Sequence, residues 1–481
     1  MVGENREEGD GQAPAADLGG GLGSALESAL LRNSAERAIR YLEQLPSRRV
    51  SPDAAALANL VQLGGALNED PTPAHEVLEL LDRVGSAATV ATSGGRFFGF
   101  VIGGTLPAPL AANWLAGAWD QSASSWTASP VAAALEEIAL GWLVELLRLP
   151  PTCGGAFVTG ASMANFTALA AARHALLERA GWDVEADGLM GAPALSVLVS
   201  AEAHPSVRKA LGLLGLGRDR VTVVPVDSQG RMRPEGIPKP DALTVICAQA
   251  GNVNSGAVDP LGAICEIAAP TGAWVHIDGA FGLWASTSPS LAPLLDGVEG
   301  ADSWSTDAHK WLNVPYDSGL AFVRDPEPLR LAMAVSAAYL AVDPGRQPKD
   351  YTPELSRRAR GIEVWTALRS LGRRGVAELV ERSCAQARRL ADGLRDAGYA
   401  ILNEVVLNQV LVDFGDPETT RRVIGAVQEE GTCWCGVTEW QGHTAMRISV
   451  SSRATTDEDV ARSLQAMLAA ADGSGRADPG Q

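Results

Sequence analysis

From about residue 154 to residue 325, short apolar runs alternate with longer segments of helical period. The runs at 155–158, 196–200, 221–226, 244–248, 274–278, 303–306 and 319–324 read as strands with apolar character on both faces. Helical patterns at 162–179, 206–214 and 260–269 fall between them. Alternation of this kind predicts an α/β unit, a mainly parallel seven-stranded sheet covered by helices on both sides. Upstream, Ser129 followed by Pro130 opens an amphipathic helix over 130–149, and the segments 25–45 and 74–83 look like helical arms. Downstream, a long helix through Leu394, strands near 400–402, 408–413 and 445–450, and a closing helix after Thr456 predict a smaller α+β unit. The expected organisation is a disordered tail over 1–22 and a helical arm over 23–90, then a large α/β domain over 91–330. A mobile loop over 331–360, a small domain over 361–472 and a frayed end over 473–481 complete it.

Composition narrows what such a chain can do. It has 481 residues, 46% hydrophobic and 20% charged, so folding is expected rather than disorder. A net charge of −18 disfavours nucleic acid and anionic membrane surfaces as partners. The greasiest helical stretch, 131–149, carries Glu136, Glu137 and Glu145, so no membrane span is expected. The start, MVGENREEGDGQ, is acidic where a secretion signal would be basic, which predicts a cytoplasmic protein. Cys433 and Cys435 would need two further ligands to hold a metal, and His443 is the one candidate nearby. They read instead as alternating strand side chains, and no metal is expected. Only four of the 39 basic residues are lysines: Lys209, Lys239, Lys310 and Lys349. Few side chains here can form an imine.

In open parallel sheets, ligands bind beyond the carboxyl ends of the strands. Polar residues stand there after four predicted strands: His204, the pair Asn252 and Asn254, Asp278, and Lys310. A lysine and an aspartate on neighbouring strand ends suit pyridoxal phosphate. The amine binds the aldehyde carbon, while the carboxylate keeps the pyridine nitrogen protonated so that the ring accepts electrons. Thr159-Gly160-Ala161-Ser162 places small residues before a helix N-terminus, where backbone N–H groups favour an anion such as the phosphate. His204 could stack on the ring. Taken singly, each has an ordinary alternative: a helix cap for Asp278, a packing turn for 159–162, a polar loop residue for His204.

Together, in this order and spacing, they resemble the pyridoxal-dependent decarboxylases of the aromatic amino acid and glutamate decarboxylase group. The resemblance runs over about residues 80 to 470 and is carried by GAFVTGASMANFTAL, AEAHPSVRKALGLLG, GNVNSGAVDPL, WVHIDGAFG and ADSWSTDAHKWLNVPYDSG, with RFFGF, SSWTASP, DYTPELSRRARG and MRISVS. It implies the aspartate aminotransferase-like fold type I and a homodimer with interlocked N-terminal helices. It also implies Lys310 as the cofactor lysine, Asp278 at the ring nitrogen, and His204 and Ala280 on the two ring faces. Gly160, Ala161 and Ser162 would hold the phosphate, with Asn252 and His309 nearby. Tyr351 matches the family's loop tyrosine, the proton source, and Tyr339 is a second candidate. Phe97, Phe98 and Trp126 fall where the family builds its substrate pocket, and Arg447 matches an arginine that binds substrate carboxylate in aminotransferase relatives. One departure is Gly94-Gly95, where the family commonly has His-Pro before Arg96. The expected reaction is decarboxylation of an aromatic or hydrophobic L-amino acid to its amine. The alternatives are decarboxylation coupled to oxidative deamination, transamination, and an acidic substrate.

Overall fold

The computed structural model describes residues 25–335 and 345–474. The expected 1–22 tail, Tyr339, part of the 331–360 loop and most of the 473–481 end lie outside them. The chain divides into two units at Ala91–Thr92. The first contains helices α1 (Ala25–Gln44), α2 (Ala54–Asn59) and α3 (Ala74–Leu80). Asp53 caps α2 by accepting from the Ala56 N–H, and Arg37 pairs with Asp82 at 2.8 Å.

The second unit is built on two sheets. The larger contains β1 (Gly154–Val158), β2 (Ser196–Ser200), β3 (Thr222–Val224), β4 (Thr244–Gln249), β5 (Trp274–Asp278), β6 (Ser303–Asp307) and β7 (Gly319–Val323), in the order β1-β7-β6-β5-β4-β2-β3. Strands β2 to β6 pair in parallel, whereas β7 runs antiparallel to both β1 and β6. The connection 308–318 contains no helix, and a short link of that kind returns the chain antiparallel. The smaller sheet contains β8 (Ala400–Ile401), β9 (Gln409–Asp413), β10 (Gly436–Trp440) and β11 (His443–Ser449), in the order β10-β11-β9-β8.

Helices in this unit are α4 (Pro107–Trp119), α5 (Pro130–Leu146), α6 (Ala161–Arg179), α7 (Val184–Asp187), α8 (Pro205–Leu213), α9 (Leu261–Ala268), α10 (Pro326–Met333), α11 (Gly361–Asp396), α12 (Pro417–Glu430) and α13 (Asp457–Ser474). The path of α11 breaks at Gly372, where φ is +62°. The large sheet is buried on both faces. Strand β4 sends Val245 and Cys247 into a cluster with Leu169 and Leu211 of α6 and α8, and Ile246 and Ala248 into another with Ile264 of α9. Under the small sheet, Val410, Val412, Met446 and Ile448 pack on Leu390 and Leu394 of α11.

Among the elements that depart from the sequence expectation, three are instructive. Helix α4 was not expected, because PAPLAANWLAGAW is apolar almost all round and shows no polar stripe. Helix α12 was also missed, although Asp416 before Pro417 is a start signal: its carboxylate accepts from the Glu418 and Thr419 N–H groups. Strand β3 is shorter than expected and stops before Pro225, which cannot donate to a ladder.

Candidate active site

The carboxyl ends of β4 and β5 and the loops after β2 and β6 open on a cavity of about 590 Å³. His204, Asp278, Ala280 and Lys310 from the large sheet line it, together with Arg447 of β11. The two side chains on which a cofactor ring would depend, Asp278 and Lys310, therefore face one space. Strand pairing explains this: Asp278 stands opposite Ser305, five residues before Lys310. The lysine turn is fixed from behind, where a side chain on Gly103 would run 1.7 Å from the Lys310 carbonyl oxygen. Glycine is required there.

Asp278 is buried. Its Oδ2 accepts from Asn165 Nδ2 at 3.0 Å and its Oδ1 from the Ala280 N–H at 3.2 Å. Those bonds hold it as an acceptor pointing at the cavity. His204 caps α8 through Nδ1, which accepts from the Ser206 N–H. Burial pushes its imidazole below the ordinary range, with Asp278 opposing, so the ring facing the cavity is neutral near pH 7. Lys310 Nζ lies 3.1 Å from Asp307 Oδ2. Arg447 is held by the Val253 carbonyl at 3.4 Å, and burial lowers its pKa.

The turn at Gly160-Ala161-Ser162 starts α6 beside Asp307 and His309. A methyl on Gly319 would lie 2.4 Å from the Gly160 Cα, and one on Gly160 would lie 3.3 Å from His309 Cε1. Gly160, Ala161, Ser162 and His309 are not among the residues that line the cavity itself; the first N–H groups of α6 have no partner inside the helix. His309 Nδ1 accepts from the Ser318 N–H, its ring stacks on Tyr316 at 4.3 Å, and burial lowers its pKa. An amine, a carboxylate, a neutral imidazole and a helix N-terminus are groups that can hold pyridoxal phosphate.

Several expected residues lie elsewhere. Asn252 stands behind the cavity wall and braces Glu202 Oε2 at 2.8 Å. Phe98 is fully buried in the core under the small sheet. Phe97 stacks on Trp434 at 5.0 Å, and Trp126 is 48% exposed away from the cavity. Their neighbours Phe100 and Val101 line the cavity instead. Tyr351 packs beneath the Arg346 guanidinium, 4.3 Å from its ring, and does not reach this chain's own cavity. Arg96 is taken up by Asp459 and the Thr432 carbonyl. Gly95 is glycine because a side chain there would lie 2.5 Å from Asp459 Oδ2, so the Gly94-Gly95 departure serves the contact with α13. Cys433 and Cys435 are buried thiols, and no metal-binding cluster exists among the described residues.

Two residues went unread. Asn165 is a fully buried amide in an alanine-rich helix, a polar exception that could have been noticed. Asp307 precedes Lys310 by three residues and is buried, with Oδ1 lacking any hydrogen-bond partner among the described residues.

The model of the pyridoxal-dependent decarboxylase conserved domain matches residues 63–414. The chain belongs to the pyridoxal-dependent decarboxylase family. Its relatives include amino acid decarboxylases and a phenylacetaldehyde synthase of Arabidopsis thaliana; this chain is a PLP-dependent amino acid decarboxylase by family, and its cofactor is pyridoxal 5'-phosphate. Tryptophan decarboxylase 1 of Oryza sativa subsp. japonica is 31% identical over 326 residues, which span 62% of this chain and 63% of the rice enzyme. An acidic amino acid decarboxylase of Homo sapiens is 30% identical over 353 residues, 70% of this chain and 67% of the human one. The fold of this decarboxylase also matches the crystal structure of Oryza sativa TDC with PLP and tryptamine, with a TM-score of 0.86 at 24% identity, over 94% of this chain and 98% of that one. No helix among the described residues is long and apolar enough to cross a membrane.

Proposed function

We propose that this decarboxylase converts an aromatic or otherwise hydrophobic L-amino acid to its amine and CO2. The observation that carries the reading is the meeting of Lys310, Asp278, His204 and Arg447 in one cavity. Lys310 would hold the cofactor's aldehyde carbon, Asp278 its ring nitrogen, His204 and Ala280 its two faces, and the α6 N-terminus with Ser162 its phosphate. When bound, pyridoxal phosphate is the sink for the electron pair left by the departing carboxylate. Arg447, a half-buried cation facing the cavity, is suited to receive the substrate's carboxylate and so to choose which bond stands across the ring.

Phe100, Phe281 and Trp440 in the cavity wall support an apolar side chain. The wall also carries Glu202 and Glu439, and its cationic side chains are Lys310 and Arg447. Among the described residues of one chain, that set gives a second, distal carboxylate no cation of its own, which weighs against an acidic substrate. The human relative keeps that alternative worth testing. A homodimer in a reducing compartment belongs to the same reading, supported by the exposed apolar Leu31, Val61 and Leu81 of the first unit and by six free cysteines.

Lys310→Ala should abolish the visible absorbance of the purified holoenzyme and its CO2 release from a panel of amino acids. An unchanged spectrum would place the cofactor elsewhere. If Tyr351 is the proton source it must act on the cavity of another copy, because it is separated from its own. Tyr351→Phe should then turn amine output largely to aldehyde. An unaltered product profile removes it from the mechanism.

A further inference from the structure

Behind the cavity floor lies a chain of buried polar groups whose hydrogen bonds can be ordered from one end. Trp274 Nε1 can only donate, and it meets Ser303 Oγ at 2.8 Å, so that hydroxyl accepts. Asn165 Nδ2 faces the Asp278 carboxylate, so Asn165 Oδ1, which can only accept, faces His276 Nε2; that nitrogen carries the imidazole hydrogen, and the Ser303 hydrogen goes to His276 Nδ1 at 2.9 Å. A neutral His276 must carry its own hydrogen on Nε2, which donates to Asn165 Oδ1 at 2.9 Å. Burial pushes His276 down to about 4, so it is neutral near pH 7. Ser305 Oγ donates to the same amide oxygen at 2.5 Å. With its oxygen fixed by two donors, Asn165 turns both Nδ2 hydrogens the other way, one to Asp278 Oδ2 at 3.0 Å and one to Ser206 Oγ at 3.1 Å. Ser206 gives its hydroxyl hydrogen to His204 Nδ1 at 2.7 Å. Nδ1 is thereby an acceptor twice over, and the only place left for a hydrogen on neutral His204 is Nε2.

We propose that Asn165 is a positioning residue of this decarboxylase. Its amide holds Asp278 as an acceptor-only carboxylate and, through Ser206, presents His204 to the cavity with its hydrogen on Nε2. Only an amide serves. It donates to two acceptors on one side, accepts from two donors on the other, and has no proton to lose, so His276 and Asp278 are kept from exchanging one. A carboxylate at position 165 would face Asp278 at hydrogen-bond distance, and two acids that close hold one proton between them. The consequence for catalysis rests on the assignment of Asp278 and His204 to the cofactor ring. The proton order itself does not.

The test is nitrogen NMR of the full chain labelled with 15N-histidine, with cofactor bound and after its removal, the signals being assigned by His204→Gln and His276→Gln. Wild type should show both imidazoles neutral at pH 7 and both protonated on Nε2. Asn165→Asp should turn His276 into the cation at pH 7, and Asn165→Leu should shift the His204 nitrogen signals while its hydrogen stays on Nε2, because the Ser206 backbone N–H still donates to Nδ1, and lower kcat by about tenfold or more with KM little changed. Should either variant fail to fold, Ser206→Ala cuts only the His204 branch. It should move the His204 signal while leaving His276 as it was. A wild-type His204 protonated on Nδ1, or a His204 signal indifferent to Ser206→Ala, overturns the proposal even if Lys310→Ala behaves as expected. Conversely, failure of the Lys310 experiment with the histidine pattern intact would strike the functional reading alone.

Discussion

Lys310 and Asp307 form a close charge pair, Nζ to Oδ2 at 3.1 Å, and Asp307 is almost wholly enclosed while its second oxygen has no partner among the described residues. That oxygen would lie 3.6 Å from a methyl on Gly160, at the proposed phosphate cradle. A carboxylate there opposes an incoming phosphate, and its attraction for the lysine ammonium opposes release of the free amine that must meet the aldehyde. Both effects have one sign. Asp307→Asn keeps the shape and removes the charge, so it should tighten cofactor binding, by about tenfold for each 1.4 kcal/mol of repulsion relieved. Titration of pyridoxal phosphate into cofactor-free protein, followed by absorbance and tryptophan fluorescence, measures it. Weaker binding in the variant would mean that Asp307 serves the cofactor rather than resists it.

At the scale of elements, the parallel strands and their crossover helices were legible because period and length both spoke. Predicted strands at 196–200 and 274–278 coincide with β2 and β5. What failed was local: α4 hides its period under all-round apolarity, and β10 is a short strand with only its last residue buried. The cavity lysine, aspartate and histidine could be read from strand ends, but the pocket walls could not. Whether Phe98 or Phe100 faces the cavity depends on the twist of a loop pinned to Trp434, and no periodicity encodes that. The reversed β7 was equally unreadable, and it sets the cradle. Its first residue, Gly319, stands opposite Val158 and presses its Cα side against Gly160. Gly319→Ala must push the cradle turn by an ångström or more, because the added methyl meets backbone that cannot rotate aside. Overpacking of this kind costs about 1–3 kcal/mol. The expected result is a loss of cofactor affinity of about tenfold or more with the circular dichroism spectrum retained. Normal affinity would separate the 159–162 turn from the phosphate.

For the molecule as a whole, several buried groups shape stability between pH 4 and 7, and two of them, His276 and Asp259, pull in opposite directions. His276 sits at about 4 when folded, below its ordinary 6.5, because burial disfavours the cation. The unfolded chain therefore binds a proton in that window that the folded chain refuses, and stability present above pH 6.5 is lost as the pH falls toward 4. Asp259 is pushed up to about 7 by burial, above its ordinary 3.8, despite accepting from the Met232 and Gln249 N–H groups. Its folded form keeps a proton that the unfolded form releases, so stability present below pH 3.8 is lost as the pH rises through 7. Over the shared window each contributes one proton with opposite sign, and the two slopes largely cancel. His276→Gln preserves a donor toward Asn165 but does not titrate, which removes one of the two. Relative to the variant, wild type should lose about 3 kcal/mol between pH 7 and pH 4, and comparing the two proteins cancels every group they share. Denaturation midpoints of both, taken at half-unit steps of pH and a fixed scan rate, read the difference directly. Parallel curves would mean that His276 takes up its proton in the fold as readily as in water, and the buried chain from Trp274 to His204 would lose the neutral imidazole on which its direction depends.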